Sequence, residues 1–280
     1  MQVTVAELRI LVLEEQHSMD RAEGLAWARK ADAFGTLTRL FARPRDEDFE
    51  LTYKERRYQP FWHVACSAHY GYVRRGQYQI ALRGPEVQSV TIQGADYDAQ
   101  NSSITLTGLE HCRESARAEF YVDALTGAKE AGLAEYANYP AQEATLQDLN
   151  AARTEGVIVV PPQLASTGIV REAVGGLVRR VVADEITEEI LEVQRLDLYY
   201  RPVYAFQYRW ISKEREALME YDALTGKFSV DGKAYQEYAE ATIEAELVAD
   251  LDAQTVADLV PGGQLAVKTE APAPSGRRRG

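Results

Sequence analysis

The residues of this chain whose types could perform metal or thiol chemistry are its histidines and cysteines. The sequence contains 4 histidines and 2 cysteines. Most of them fall in two short clusters in the first half of the chain, namely His63, Cys66 and His69, followed by His111 and Cys112. Imidazole and thiolate are ligands that zinc prefers. These residues are therefore the candidate metal ligands, and zinc is the candidate cofactor.

The spacing of these residues suits a tetrahedral site less well than their composition does. A proline and two aromatic residues precede the first cluster and predict a β-strand, along which side chains alternate between the two faces. On such a strand His63 and His69 share one face while Cys66 points to the other. His111 and Cys112 also point apart. The alternative interpretation is that the cysteines are small core residues, the histidines are solvated, and the protein needs no cofactor.

A thiol-dependent enzyme is a further alternative, with Cys112 as the nucleophile beside His111. Neighbouring side chains on a strand diverge, so this pair is poorly placed for the hydrogen bond that activates a nucleophile. The sequence also lacks a glycine-rich phosphate loop, a zinc-protease helix motif and a hydrolase nucleophile elbow. We therefore favour a non-enzymatic protein over an enzyme.

Tyrosine is abundant, with 16 residues, and concentrates in two strand-like segments that also contain arginine. Tyrosine, tryptophan and arginine are favoured at recognition surfaces. The leading prediction is a binding or scaffold module that recognises a protein partner through an aromatic sheet face. Its candidate binding residues are Tyr58, Trp62, Tyr70, Tyr72, Tyr200, Tyr204, Tyr208 and Trp210. The alternative is that these residues form the sheet core through cross-strand aromatic pairs.

An internal repeat indicates how these segments are arranged. The pentapeptide Asp-Ala-Leu-Thr-Gly occurs twice, and two upstream segments match in the same order. Such ordered self-similarity predicts a tandem duplication, with extra residues inserted into the first copy. The matched segments are Ala33–Phe41 with Ala173–Val181, Arg57–Val64 with Tyr199–Phe206, and Asp123–Gly127 with Asp222–Gly226.

Each copy predicts a helix followed by antiparallel strands. In the second copy an apolar stripe from Val170 to Val182, preceded by two prolines, is typical of an amphipathic helix. In the first copy the stripe from Ala33 to Phe41 predicts the equivalent helix, ended by Pro44. Asp20 and Glu23 form a candidate capping box there.

The period changes to two after each helix, as for instance between residues 190 and 200, which predicts strands. Each Asp-Ala-Leu-Thr-Gly segment then predicts a hairpin turn, because aspartate caps its own backbone and glycine supplies a positive φ. Residues 234–260 predict one long C-terminal helix ended by Pro261. Residues 143–150 predict a short helix, and residues 132–144 a linker between the copies.

This arrangement resembles the PepSY and cystatin-like families, in which a helix lies on a curled antiparallel sheet and such a hairpin recurs. The residues that carry the resemblance are Tyr121–Gly127 and Tyr221–Gly226, and the inserted segment of the first copy departs from the family pattern. The resemblance implies a binding or inhibitory module and implies no catalytic residues.

The sequence therefore predicts an α+β fold of two tandem helix-plus-antiparallel-sheet units, the first enlarged by a β insertion, with a C-terminal helix. The predicted units are residues 1–139 and 140–262, and residues 263–280 form a basic tail rich in Pro and Gly. The net charge is −12, so nucleic acid is an unfavoured partner except at that tail. No signal peptide or membrane span is evident, and we expect a cytoplasmic protein. The oligomeric state stays open.

Overall fold

The computed structural model describes residues 1–35, 45–177, 181–230 and 232–260, together with the backbone of residues 267–268. Its fold is a mixed α+β fold built on a sheet of 9 strands. The strands are β1 (Gln2–Val5), β2 (Arg9–Leu13), β3 (Phe49–Ala81), β4 (Ser89–Ile92), β5 (Ala95–Asp98), β6 (Ser103–Asp123), β7 (Ala141–Ala144), β8 (Val157–Val159), β9 (Val182–Ala183), β10 (Glu185–Trp210), β11 (Arg215–Asp222), β12 (Phe228–Val230) and β13 (Val267–Lys268). The α-helices are α1 (Met19–Arg29), α2 (Leu146–Thr154), α3 (Ser166–Gly175) and α4 (Ala253–Leu259).

Two very long antiparallel strands, β3 and β10, form the centre of the sheet. Their pairing runs from Val73 opposite Glu185 to Phe49 opposite Trp210. Both strands are rich in β-branched and aromatic residues, which favour a pleated and half-buried surface. Short parallel strands flank the centre, with β1 and β2 on β10 and β8 on β3. The long antiparallel partners are β6 on β3 and β11 on β10.

Helices α1 and α3 cover the same face of this sheet. Ala173 and Val174 of α3 lie in the largest core cluster together with Trp62, while Ala22 of α1 packs on the aromatic residues near the end of β10. The other face is covered near its middle by the 3₁₀ helix Ala131–Asn138, whose Leu133 packs with aromatic and leucine side chains of the sheet. Residues 233–235 cover another part of this face, where buried Arg57 donates to the Lys233 carbonyl and the Tyr235 N–H donates to Glu55. Around Arg113 and Arg117 the second face is exposed, as is common for antiparallel sheets.

Both Asp-Ala-Leu-Thr-Gly segments form hairpin turns, which confirms that prediction. Asp123 accepts hydrogen bonds from the backbone N–H groups of the next-but-one and third residues at 2.9 and 2.8 Å, and Asp222 does so at 2.9 and 2.9 Å. Gly127 and Gly226 have φ of 77° and 71°, a region that only glycine occupies without strain. The turns close the hairpins at the ends of β6 and β11.

The segment predicted to be an insertion contains a β-ribbon. Strands β3 and β6 stay paired as far as Ala81 opposite Ser103, well beyond Val73, where the pairing of β3 with β10 ends. We call the part from Arg74 to Ala81 with Ser103 to Glu110 the arm. Strands β4 and β5 form a separate small hairpin between its two strands in the sequence.

Several predicted elements differ in the structure. The long C-terminal helix is wrong, because the region contains the 3₁₀ turns Gln236–Tyr238 and Ala245–Val248 and only the short helix α4. Its alanines and glutamates favour a helix locally, but packing on the sheet decides otherwise. The capping box at Asp20 is also wrong, since Ser18 is the N-cap of α1.

The predicted linker contains packed structure, because Leu133 is buried and β7 pairs with β2. The predicted short helix is present, although it begins at Leu146 after a capping box formed by Thr145 and Asp148. The second-copy helix appears as α3. Most of the first-copy stripe, Pro44 and nearly all of the basic tail lie outside the described residues. The tandem duplication and its boundaries stay predictions.

Candidate functional site

The aromatic residues selected as a binding surface lie mostly in the core. The side chains of Trp62, Tyr200, Tyr204 and Tyr208 are fully buried and those of the other candidates nearly so, except for Tyr58, which is half-buried. They pack under helices α1 and α3, in agreement with the alternative interpretation of a sheet core. A partner cannot reach these side chains in the folded protein. The residues are Tyr58, Trp62, Tyr70, Tyr72, Tyr200, Tyr204, Tyr208 and Trp210.

The histidines and cysteines alternate between the faces of the β3–β6 pair as the sequence predicts. Cys66 lies in the core beneath helix α3, and burial raises the pKa of its thiol to about 12. Cys112 is half-buried on the same face, opposite Tyr72. His63 and His69 lie on the other face, as does His111, which is opposite Val73.

The register keeps these residues apart along the sheet. His63 and His69 are six positions apart on one strand, which corresponds to roughly 20 Å. Cys66 and Tyr72, the residue opposite Cys112, are separated by the same number of positions. Within the described part of the chain no three His, Cys, Asp or Glu residues are grouped closely enough to hold a metal ion. The structure therefore does not bring the candidate zinc ligands together.

His63 instead belongs to a row of polar residues that crosses the sheet. Arg9 of β2, Asp197 of β10, His63 of β3 and Tyr121 of β6 are successive partners. Arg9 donates two hydrogen bonds to buried Asp197 at 2.8 and 2.7 Å, and the His63 ring stacks on Tyr121 with centroids 4.0 Å apart. His63 also contacts Glu119 at 3.2 Å, yet burial lowers the pKa of its imidazole. This row stabilises the fold and leaves no open face for substrate, since His63 and Asp197 are both buried.

Cys112 and His111 are both among the residues that line a depression of about 520 Å³ on the sheet surface. Gly71 has no side chain there and lies under the bulge at Thr187, whose hydroxyl would be 2.9 Å from a Cβ atom at that glycine. Arg113 and Glu188 also line the depression. His111 points to the opposite face from Cys112, so the adjacent imidazole does not form an activated pair with the thiol.

The structure shows a different candidate site, the outer edge of strand β6. Among the described strands, β6 pairs only with β3, but isolated bridges from Gln100 to Ser103 and from Lys129 to Val122 occupy the two ends of its outer edge. Beyond Glu119, the edge is occupied, because Glu130 donates to the Tyr121 carbonyl at 3.1 Å and Asp123 donates to the Ala128 carbonyl at 2.9 Å. The odd-numbered residues therefore direct their backbone polar groups outward.

The same alternation continues along β6, because the β3–β6 register has no shift or bulge. The odd-numbered residues from Thr105 to Glu119 therefore present their N–H and C=O groups at the outer edge. Within the described residues, no backbone hydrogen bond from another segment satisfies these groups. We call this stretch the β6 edge. This edge is not among the sites predicted from the sequence, although the alternating run from Ser103 to Asp123 favours a long strand.

The arm carries the exposed apolar side chains nearest to this edge. Leu109 is 63% exposed, Tyr78 48% and Ile80 43%. Gly76 and Gly108 are directly opposite each other, and the side chains of Tyr78 and Glu110 lie over them. The Tyr78 hydroxyl donates to Glu110 at 2.8 Å, and hydrogen bonds from Arg74 and Tyr78 lower the pKa of Glu110. The arm is thus ordered by its own cross-strand contacts.

Among the described helices, none has both the length and the apolar character required to cross a membrane. Comparisons of this chain with protein family models, with curated proteins and with solved structures found no match.

Proposed function

We propose that this protein is a non-enzymatic binding module that holds an extended segment of a protein partner at the β6 edge. The observation that supports the proposal is the row of outward N–H and C=O groups from Thr105 to Glu119. A strand added there gains a ladder of backbone hydrogen bonds and extends the sheet. The partner remains a protein, as the sequence predicts, but its binding surface differs from the aromatic face.

The composition of β6 supports an edge that is meant to be paired. Natural proteins protect exposed edges with proline, lysine, bulges or very short strands. Strand β6 has 21 residues, contains no proline or lysine, and keeps an unbroken register with β3. Its protection consists of arginines and glutamates at intervals. Such charges discourage indiscriminate pairing but permit a partner of complementary charge.

The side chains along the edge would select the partner. On the helix side, Ala116, Ala118 and Phe120 are partly buried against the core and are small enough, apart from Phe120, to admit a neighbouring strand. On the open side, Arg113 and Arg117 are exposed. A segment with apolar residues on the helix side, and with residues on the open side that do not repel Arg113 and Arg117, would satisfy both faces.

A proline substitution tests the proposal at the backbone. The Arg113 N–H points outward and makes no bond to β3, so Arg113→Pro removes an edge donor while sparing the sheet. Arg113→Ala is the matched control, because it removes the charge and keeps the N–H group. A photo-crosslinking residue at Thr107 of the full chain reports contact with a partner strand, and the same residue at Gln79 controls for general proximity.

We expect the crosslinking residue at position 107 to form covalent adducts with a partner protein. The yield of these adducts should be unchanged in the Arg113→Ala variant and should fall at least tenfold in the Arg113→Pro variant. Circular dichroism of both variants verifies that the sheet is retained. Adducts that are equally abundant with Arg113→Pro, or that form equally from position 79, would show that the β6 edge is not the binding site.

A further inference from the structure

We propose that the strand that pairs with the β6 edge is β6 of a second copy of this chain, antiparallel to the first about a two-fold axis at His111. The inference rests on the proposed function, because it names the partner of the same edge. The result would be a dimer with one sheet continuous through both copies, in the order β3, β6, β6 of the second copy and β3 of the second copy.

The occupied end of the edge restricts where such an axis can lie. The segment from Ala128 to Glu130 already bonds to β6 at Tyr121 and Asp123. A partner strand therefore must end by Glu119, and the residue opposite Glu119 must lie close to the start of the partner's β6. An axis at Cys112 already violates this condition, because it places Ser103 of the second copy opposite Tyr121, and any later axis pushes the second strand further into that segment.

The alternation of backbone groups restricts the axis again. Outward-facing groups of one copy must meet outward-facing groups of the other, so odd-numbered residues pair with odd-numbered residues. The axis therefore passes through a residue and not between two residues. His111 itself is outward-facing, so an axis there makes it a hydrogen-bonded pair.

Charge also distinguishes the registers. An axis at Cys112 places Glu110 of each copy directly opposite Glu114 of the other, and an axis at Glu110 places the two Glu110 side chains opposite each other. Like charges in these positions are destabilising. An axis at Leu109 avoids this repulsion but places Ile104 opposite Glu114 and leaves residues beyond Ser115 unpaired.

The register about His111 pairs the edge from Thr105 to Arg117 without opposing carboxylates or guanidinium groups. Ile104 lies opposite Ala118, and Leu106 lies opposite Ala116, so apolar side chains meet on the helix side of the sheet. The pairing ends there, because Ser103 already exchanges two backbone hydrogen bonds with Gln100. On the open face, Thr105 lies opposite Arg117 and Leu109 opposite Arg113, whose aliphatic stems cover apolar surface.

This register also explains why an arm extends so far from the sheet. A two-stranded ribbon is at best marginally stable in water by itself, and the arm has only β3 and β6 beyond Val73. In the dimer, the arm half of β6, from Thr105 to Leu109, lies beside Arg113 to Arg117 of the other copy. Each arm is thereby paired with the wide part of the other sheet, and Leu109, which is 63% exposed in the single chain, gains a neighbour.

The test combines the mass of the assembly with a disulfide at the axis. In full-length protein carrying Cys112→Ser, His111→Cys places two thiols opposite each other at the Cα separation of a hydrogen-bonded pair, about 5.5 Å, which a disulfide can span. Leu109→Cys in the same background is the matched control. Light scattering of the purified wild-type chain at micromolar concentration measures the mass.

We expect light scattering of the wild-type protein to give twice the mass of one chain. The His111→Cys variant should oxidise rapidly to a covalent dimer. The Leu109→Cys variant should form at least tenfold less covalent dimer. Arg113→Pro should give a monomer, while Arg113→Ala should stay dimeric. A monomeric wild-type chain overturns this inference. If adducts from Thr107 to a different protein then still depend on the residue-113 backbone, the proposed function stands without it. A dimer that crosslinks preferentially at Leu109, or that survives Arg113→Pro, also overturns the inference.

Discussion

Two hairpins of this protein, β3–β6 and β10–β11, have the same contacts at the end that carries the Asp-Ala-Leu-Thr-Gly turn, which we call the root, and they differ beyond it. In each root an alanine of the turn donates to a proline carbonyl of the long strand, Ala124 to Pro60 and Ala223 to Pro202, both at 3.2 Å. The side chain of the aromatic residue two positions after each proline donates a hydrogen bond to a backbone carbonyl in the segment that precedes a helix. The donors are the Trp62 indole at 3.0 Å and the Tyr204 hydroxyl at 2.8 Å.

Outside the roots the hairpins diverge. Strands β10 and β11 are connected by the short 3₁₀ turn Ile211–Lys213, and β12 pairs with the other side of β11. Strands β3 and β6 continue into the arm, and the β6 edge has no such covering strand among the described residues. The comparison indicates that the roots contain the buried contacts of the fold, whereas the extension leaves the outer edge of a strand unpaired among the described residues.

The largest effect on the free energy of unfolding should come from removing a buried aromatic ring in one of the roots. Trp62→Ala and Tyr204→Ala each remove a fully buried ring, and we expect each to lower the free energy of unfolding by about 3–5 kcal/mol. Tyr78→Ala in the arm removes a half-exposed ring and should cost less than about 1 kcal/mol. Urea unfolding followed by fluorescence measures all three. A loss at Tyr78 equal to that at Trp62 would erase the distinction between root and arm.

A smaller effect should distinguish the two turns. Both aspartates cap their own backbone, but Asp222 also accepts a hydrogen bond from the Tyr136 hydroxyl and lies 3.8 Å from Arg201. Burial raises the pKa of Tyr136 to about 12, so this hydroxyl stays a donor at neutral pH. We expect Asp222→Ala to cost about 2 kcal/mol and Asp123→Ala about 1 kcal/mol in urea unfolding.

A double-mutant cycle isolates the extra contact. Tyr136→Phe should cost about 1 kcal/mol in the wild-type background and close to nothing with Asp222→Ala, because its acceptor is then absent. It should be additive with Asp123→Ala, which lies in the other turn. Equal coupling to both aspartates would indicate that the turns are equivalent in energy as well as in shape.

The roots were predictable from the sequence because their signals are local. Asp, Thr and Gly fix a turn through contacts within a few residues, and the alternation around residues 190–200 needs only a strand with two different faces. The apolar stripe of α3 is equally local. The turns, the strand and the α+β fold class appear in the structure as predicted, whereas α3 ends at Gly175 and Val182 of the predicted stripe lies in β9.

The location of the candidate site was not predictable because it depends on what covers each face and edge. The sequence places Tyr204 and Trp62 on strands, but only the packing of α1 and α3 shows that these rings are enclosed. The β6 edge likewise depends on strand order, which no residue of β6 encodes alone. The long C-terminal helix failed for a related reason, since propensity yields to tertiary packing.

The decrease in stability at lower pH should arise mainly from the β3–β6 hairpin, which contains His63. His63 is buried in β3, whereas the residue matched to it in β10 is Ala205. Burial lowers the pKa of His63 in the folded state. In the unfolded chain, the pKa of this imidazole is about 6.5. Below about pH 6.5 the unfolded chain therefore binds a proton at His63 more readily than the folded chain does. Stability should therefore fall as the pH drops from about 7 to 5. His63→Phe should flatten this slope in urea unfolding measured across that range, and an unchanged slope would place the response elsewhere.

The smallest effect on stability should come from removing the arm. Replacing residues 75–109 by Asn-Gly connects Arg74 to Glu110, which are already opposite each other, through a two-residue turn that favours hairpins. This change gives β3–β6 a short connection like that of β10–β11. Beyond Val73, β6 is the only strand within the described ranges that pairs with β3, so the arm contributes little to the rest of the sheet. We expect the free energy of unfolding of the monomer to change by less than about 1 kcal/mol, while the chain loses the ability to dimerise. A truncated chain that unfolds several kcal/mol more easily would show that the extension supports the root, and the division between a stabilising root and a binding arm would then be wrong.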